Sequence, residues 1–212
     1  MNPRSLKMKL IGLLPRRWVI TSARRQSRTL YLTFDDGPHP EHTPALLDLL
    51  ATHEARASFF TIGREAAAHP ELVRRIVDEG HLLGNHSHTH PQFGRLSLAG
   101  QLNEVARADA VLAPFDGRNR HAFRPPRGEM GWRMLWHCIR RRVPVAYWSY
   151  DSLDYARGDA QALLETARRH PPQPGDVILM HDDGPLSLAY LQAMLPAWRA
   201  EGYRFEALPV HG

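Results

Sequence analysis

Cysteine is almost absent from this chain: among 212 residues there is one, Cys138. A lone thiol excludes an intramolecular disulfide framework and argues against a zinc–thiolate site or a cysteine-based redox role. Cys138 falls in a helical pattern without a partner nearby and reads as a packing residue. Long apolar runs are missing too. None approaches the roughly 20 residues of a membrane span, although a hydrophobic content of 43% is ordinary for a globular protein. No glycine-rich dinucleotide or phosphate loop follows the first strand-like run, which weighs against nucleotide cofactors. Repeats and low-complexity linkers are also lacking, so one domain with one good-sized core is expected.

Acidic residues are missing from the first 29 positions. These hold Arg4, Lys7, Lys9, Arg16, Arg17, Arg24, Arg25 and Arg28, a charge of +8 within a whole-chain net charge of +5, so the rest of the chain is slightly acidic. A basic average suggests nucleic acid, but an acidic body without a recurring basic and aromatic pattern does not, and no nucleic-acid partner is expected. The stretch Leu10-Ile11-Gly12-Leu13-Leu14 is shorter than the ~7–15 residues of an export-signal core and is interrupted by Pro15-Arg16-Arg17. The segment is therefore expected to be kept, with the protein in the cytoplasm.

Around position 30 the pattern changes. Leu30-Tyr31-Leu32-Thr33-Phe34 has the composition of a buried strand. It ends on Asp35-Asp36 and stops at Gly37-Pro38. Two adjacent carboxylates at the end of an apolar strand are costly unless positive charge lies between them. Downstream, helical spacing recurs over 43–53 (with Thr43 as a cap), 70–79, 97–112, 132–142, 160–169 and 186–199. Strand-like runs fall at 57–63, 82–85, 144–151, 176–181 and 203–208, with an extended Phe123-Arg124-Pro125-Pro126 among them.

Alternating strands and helices predict a parallel α/β sheet, open or closed into a barrel. The polar residues tip the choice towards a barrel. Asp35-Asp36, His86 to His90, Arg124, Asp151 to Asp154 and His181 all sit at C-terminal strand ends, which in an α/β barrel meet at one mouth.

Most of the 13 histidines need no special role, but His86 and His90 follow a strand end at i, i+4 spacing. A helical turn there puts both imidazoles on one side, a common way to hold a metal; His88 points elsewhere. Two imidazoles and one carboxylate make a three-ligand divalent site with positions left open. The second aspartate can then act as base towards water acidified by the ion. His181 can supply an acid, Arg124 can keep the base carboxylate ionised, and Asp154 can hold His181 charged. Together these residues fit metal-assisted hydrolysis of an amide or ester.

The set resembles the polysaccharide deacetylases of carbohydrate esterase family 4. Five motifs occur in that family's order: Thr33-Phe34-Asp35-Asp36-Gly37-Pro38, His86-Ser87-His88-Thr89-His90, Arg124-Pro125-Pro126-Arg127-Gly128, Asp151-Ser152-Leu153-Asp154-Tyr155 and Leu179-Met180-His181. The resemblance covers about residues 29 to 209, and divides the chain into a basic segment at 1–28 and a catalytic domain at 29–212. It implies a distorted, incomplete (β/α) barrel that removes the N-acetyl group from a sugar of a glycan, an oligosaccharide or a lipid-linked glycan precursor. By the same resemblance Asp35 is the base, and Asp36, His86 and His90 hold one divalent metal: zinc, with cobalt, nickel or manganese as alternatives. Arg124 orients Asp35, Asp154 tunes the acid His181, and Leu179 lines the pocket for the acyl methyl.

Two positions depart from the family pattern. Arg127 replaces the usual aromatic residue whose backbone N–H helps hold the oxyanion, and Tyr155 replaces the usual tryptophan; both are expected to touch substrate. Deformylation, O-acetyl ester cleavage and a catalytically silent glycan-binding protein are the alternatives. A metalloprotease is disfavoured, because no glutamate stands between helical zinc histidines. For the N-terminal segment two readings stand. Its apolar residues from Leu6 to Ile20, interleaved with Lys7, Lys9, Arg16 and Arg17, suit peripheral contact with the headgroups of an anionic membrane on its inner face. Alternatively, Trp18, Val19 and Ile20 pack under the barrel as a plug or extra strand.

Overall fold

The apolar run that ends in the two carboxylates becomes the middle strand of the sheet. In the computed structural model, residues 10–23, 28–156 and 159–210 are described. The first half contains β1 (Val19–Ile20), β2 (Thr29–Asp35), α1 (His42–Thr52), β3 (Ala57–Thr61), α2 (Gly63–Ala68), α3 (Pro70–Asp78), β4 (Leu82–Asn85) and α4 (Leu98–Asp116). The second half contains α5 (Trp132–Arg140), β5 (Val145–Ala146), β6 (Tyr150–Asp151), α6 (Ala160–Arg169), β7 (Val177–His181), α7 (Leu186–Ala200) and β8 (Arg204–Phe205).

Every strand pair is parallel. β2 lies between β3 and β7, with β4 beyond β3 and β6 beyond β7, while β8 pairs with the start of β2. Single bridges from Asn85 to Phe123 and from Phe123 to Val145 carry the ring onward. Segment 144–151, expected as one strand, divides instead. Its start follows Phe123 and β1, whereas its end pairs with Ile178 and Leu179 of β7. One regular strand cannot keep both registers, so the chain changes partners in between. β1 fills the opening: the Tyr147 N–H donates to the Ile20 carbonyl at 2.7 Å, and the Ala23 N–H to the Gly175 carbonyl at 2.8 Å. The result is the expected distorted, incomplete (β/α) barrel.

Period-two alternation sorts the side chains of β2. Leu30, Leu32 and Phe34 point outward into a cluster with Leu46, Leu47 and Leu50 of α1 and Leu191, Leu195 and Trp198 of α7. Each such buried side chain contributes roughly 1.5–3 kcal/mol relative to exposure. Tyr31 points inward, where Ile20, Ala23, Val177 and Leu208 close the floor. Thr33 and Asp35 share that inward face one and two steps higher, so the alternation that builds the core also aims Asp35 into the mouth.

Several local expectations are corrected. Thr43 does not cap α1: the N-cap position is Glu41, without a side-chain bond. The Thr43 hydroxyl instead accepts from the His39 N–H and donates to Asp182. The strand expected through Gly63 stops at Thr61, and Gly63 opens the short α2. Ser97 caps α4, which runs past the expected end to Asp116 and closes on Gly117 at φ 73°. In the N-terminal segment Ile11, Val19 and Ile20 are buried, whereas Leu10 and Leu13 are exposed; Leu6, Lys7, Met8, Lys9, Arg24 and Arg25 lie outside the described residues. Among the described residues, no helix is long and apolar enough to cross a membrane.

Candidate active site

The strand ends do converge. A cavity of about 970 Å³ at the mouth is lined by Asp35, Asp36, His86, His90, Arg127, Tyr155, Leu179 and His181, with Asp151, Asp154 and Asp183 among its carboxylates. Its centre is the group Asp36, His86 and His90, whose donor atoms lie within 4.8 Å of one another. The Asp36 Oδ1 is 3.5 Å from the His86 Nε2 and 3.3 Å from the His90 Nε2. Ligands held about 2.0–2.1 Å from a tetrahedral zinc stand roughly 3.3–3.4 Å apart, so this spacing fits a divalent ion. The same oxygen is buried and has no hydrogen-bond partner, a costly arrangement for a carboxylate unless a cation faces it.

The His86 ring is fixed by its Nδ1, which donates to the Arg124 carbonyl at 2.7 Å and leaves Nε2 with its lone pair towards Asp36. Burial pushes the pKa of this imidazole down to about 3, which keeps it in the neutral form a ligand requires. Asp36, Ser87 and His90 all have positive φ, at 76°, 68° and 51°. Non-glycine residues held there carry strain of order 1–3 kcal/mol, and such strain gathers at functional loops.

Asp35 is buried and sits beside this group. Its Oδ1 accepts from the Arg124 Nη1 at 2.8 Å, and its Oδ2 lies 3.7 Å from the His86 Nε2. Arg124 is wholly buried and is itself immobilised, since it also donates to the Thr33 hydroxyl and to the Tyr147 carbonyl. Its guanidinium lies 4.2 Å from the centre of the Phe60 ring. Burial raises the Asp35 pKa, against the opposing charges of Arg124 and His181, and a raised carboxylate pKa suits a proton acceptor.

On the opposite side, one Asp154 carboxylate grips His181 twice: its Oδ2 accepts the backbone N–H at 2.7 Å and its Oδ1 faces Nδ1 at 2.9 Å. Burial alone would lower the His181 pKa. The Asp154 hydrogen bond and charge outweigh it, with help from Asp35 and Asp36, and the pKa is pushed up to about 9. Nε2 is the nitrogen left for the cavity. The Tyr155 ring meets that imidazole edge-on at 5.3 Å, and its hydroxyl donates to Asp151. Arg127 is exposed at the rim on a 3-10 turn at φ 56°, and Leu179 is a buried wall residue.

Sequence reading overlooked the supports behind these groups. Glu104 of α4 accepts from the backbone N–H groups of His88 and Thr89 and from the Thr89 hydroxyl. Asp109 accepts from Asn85, whose side chain in turn accepts the Ser87 N–H. Acidic residues at the buried phase of an amphipathic helix were the available signal. Asp182, next to His181, is buried and bound to Thr43.

The chain is similar to known proteins over most of its length. The polysaccharide deacetylase signature matches residues 22–138. The chain belongs to the polysaccharide deacetylase family. A peptidoglycan-N-acetylglucosamine deacetylase of Bacillus cereus is 34% identical over 182 residues, covering 84% of this chain and 66% of that relative. A chitooligosaccharide deacetylase of Sinorhizobium fredii is 34% identical over 197 residues, covering 85% of this chain and 90% of that one. Among solved structures, a peptidoglycan N-acetylglucosamine deacetylase in complex with an N-oxidanyl-benzamide superposes with a TM-score of 0.86 at 29% identity. That match covers 99% of this chain and 96% of the other.

Proposed function

We propose that this chain hydrolyses the N-acetyl group of an N-acetylated sugar within a glycan, releasing acetate and leaving a free amine. The observation that carries the reading is the pair of opposed proton-transfer groups flanking one three-donor cluster: Asp35 clamped by Arg124 on one side, and His181 clamped by Asp154 on the other. Asp36, His86 and His90 would hold the ion, and zinc suits two imidazoles and a carboxylate. When bound, the ion supplies Lewis-acid polarisation of the amide carbonyl and acidifies water.

The chain's own groups do the rest. Asp35 takes a proton from the attacking water at Oδ2, because Oδ1 is engaged by Arg124. The C–O bond forms as the carbonyl becomes tetrahedral. His181, protonated at neutral pH, then gives the proton on Nε2 to the sugar nitrogen as the C–N bond breaks. Leu179 offers an apolar wall to the acetyl methyl. Arg127 and Tyr155 stand at the rim, where the neighbouring sugars would pass.

The test is acetate release from a panel of N-acetylated oligosaccharides and lipid-linked glycans, with and without chelator. Chelator-sensitive release from at least one glycan is expected. If every substrate remains intact with metal supplied, the reading fails and the silent glycan-binding alternative takes its place.

A further inference from the structure

We propose that the side of the barrel formed by α5 and the adjoining N-terminal segment is a docking surface for an anionic lipid membrane. The inference rests on surface residues and not on the chemistry of the pocket. Of the six large hydrophobic side chains exposed among the described residues, four belong to these two segments: Leu10 (48% exposed), Leu13 (81%), Trp132 (52%) and Trp136 (60%). Trp132 and Trp136 stand one helical turn apart on α5, so they share a face. The opposite face of that helix packs Met134, Leu135 and Cys138 into the cluster that also buries Ile11 and Val19. Pairing of β1 with β5, the strand that follows α5, ties the two segments to one side of the barrel.

Along these two segments the charge has one sign. Residues 130–150 contain Arg133, Arg140, Arg141 and Arg142 and no aspartate or glutamate, and residues 10–23 contain Arg16 and Arg17 and again no acid. All six arginines are exposed. His137, on α5 between them, has its pKa lowered by burial and by Arg141, Arg120 and Arg140. Exposed tryptophans among arginines are the composition of a surface that lies in the headgroup layer. The rings enter the interface while the guanidinium groups meet lipid phosphates. A neutral glycan chain would stack on tryptophan but would not call for six acid-free arginines. The surface also begins beside the cavity: Arg127 and Gly128 line the mouth, and α5 starts four residues later. Docking would therefore hold the mouth next to the bilayer, where a membrane-delivered substrate would emerge.

The experiment is co-sedimentation of the full chain with phosphatidylcholine vesicles, with and without phosphatidylglycerol, at low and high salt. Binding is expected with the anionic vesicles at low salt, falling at high salt and with neutral vesicles. Trp132→Ser/Trp136→Ser and, separately, Arg133→Gln/Arg140→Gln should each weaken it by roughly 10-fold or more, with unfolding curves matching the parent. Both arginines are exposed, so that variant tests the same surface should the tryptophan variant unfold. Three results overturn the proposal: protein left in the supernatant with anionic vesicles at low salt; arginine variants that sediment like the parent; or a dimer on size exclusion that Trp136→Ser dissociates, which makes the surface a contact between two copies.

Discussion

Asp35 and His181 are register partners at the ends of the adjacent parallel strands β2 and β7. Each is therefore aimed at the mouth by the same pleat, and each is held by a separate charged partner, Arg124 or Asp154. The pair thus sets the proposed proton acceptor and the proposed proton donor facing one mouth before any substrate arrives. In Asp35→Asn the donors of the Asp36, His86 and His90 group are untouched. Metal content should persist while acetate release falls by ~10²–10⁴-fold, the usual worth of general base catalysis. A loss of only a few-fold with metal retained would move the base role elsewhere.

His86→Ala removes the imidazole that the Arg124 carbonyl holds in place. Purified variant protein is expected to contain little zinc by elemental analysis, with the fold intact by circular dichroism. Undiminished metal content would sink the ligand assignment.

How much of this was legible beforehand depended on the kind of contact involved. Carboxylates and histidines at strand ends are readable because the strand period and the barrel rule place them without further information. Arg124 was placed at the mouth for the same reason, but its pairing with Asp35 in particular came only from the family resemblance. What stayed hidden depends on geometry that has no local signal. Segment 144–151 looks like one strand because its composition is mostly apolar and aromatic, and only the opening filled by β1 forces it to divide. Thr43 reads as a cap from its position, yet its hydroxyl is taken by a residue 139 positions away. The exposed face of α5 was likewise hidden, since helical spacing alone does not say which face packs inward.

Proton linkage at His181 gives a prediction with a sign. Its folded pKa, about 9, lies above the ordinary 6.5. The resulting stabilisation is full below pH 6.5 and is lost as pH rises through 9. Imidazole NMR of the metal-free protein should show that late titration, and Asp154→Asn should move it down towards 6.5. In the metal-loaded enzyme the ion offsets the pull of Asp35 and Asp36, so the alkaline limb of kcat/KM is expected somewhat below 9. An Asp154→Asn titration unchanged from the parent would remove Asp154 as the cause.

Glu104 offers a test of the loop behind the ligands. Glu104→Ala leaves the N–H groups of His88 and Thr89 without their acceptor, and because both bonds are only partly buried, water replaces some of what is lost. The loop carrying His90 should then sample other conformations, and zinc affinity should fall by ~10–100-fold in a chelator competition. Glu104→Gln, which keeps one acceptor oxygen, should recover part of it. Equal zinc affinity in all three proteins would show that the loop holds its shape unaided.

Of the glycines near the site, Gly37, in the turn after Asp36, leaves the least room for a side chain. A Cβ added to Gly37 would fall 2.1 Å from the Asp182 Oδ2 and 2.2 Å from its Oδ1, and the Asp182 side chain has little room to retreat. It is buried and its carboxylate is fixed by Thr43, which also accepts the His39 N–H from the far side of the same turn. Gly37→Ala must therefore displace either the turn after Asp36 or the Asp182 carboxylate. Overpacking of this kind costs about 1–3 kcal/mol, and displacement of the turn would move Asp36 away from both histidines. The expected result is a lower Tm together with weaker zinc binding. Adding Asp182→Ser shortens the opposing side chain and should restore zinc affinity in the Gly37→Ala background, while on its own it lowers stability by loss of the Thr43 bond. If zinc affinity in Gly37→Ala is no better with Asp182→Ser than without it, contact between these two residues is not what sets the position of Asp36.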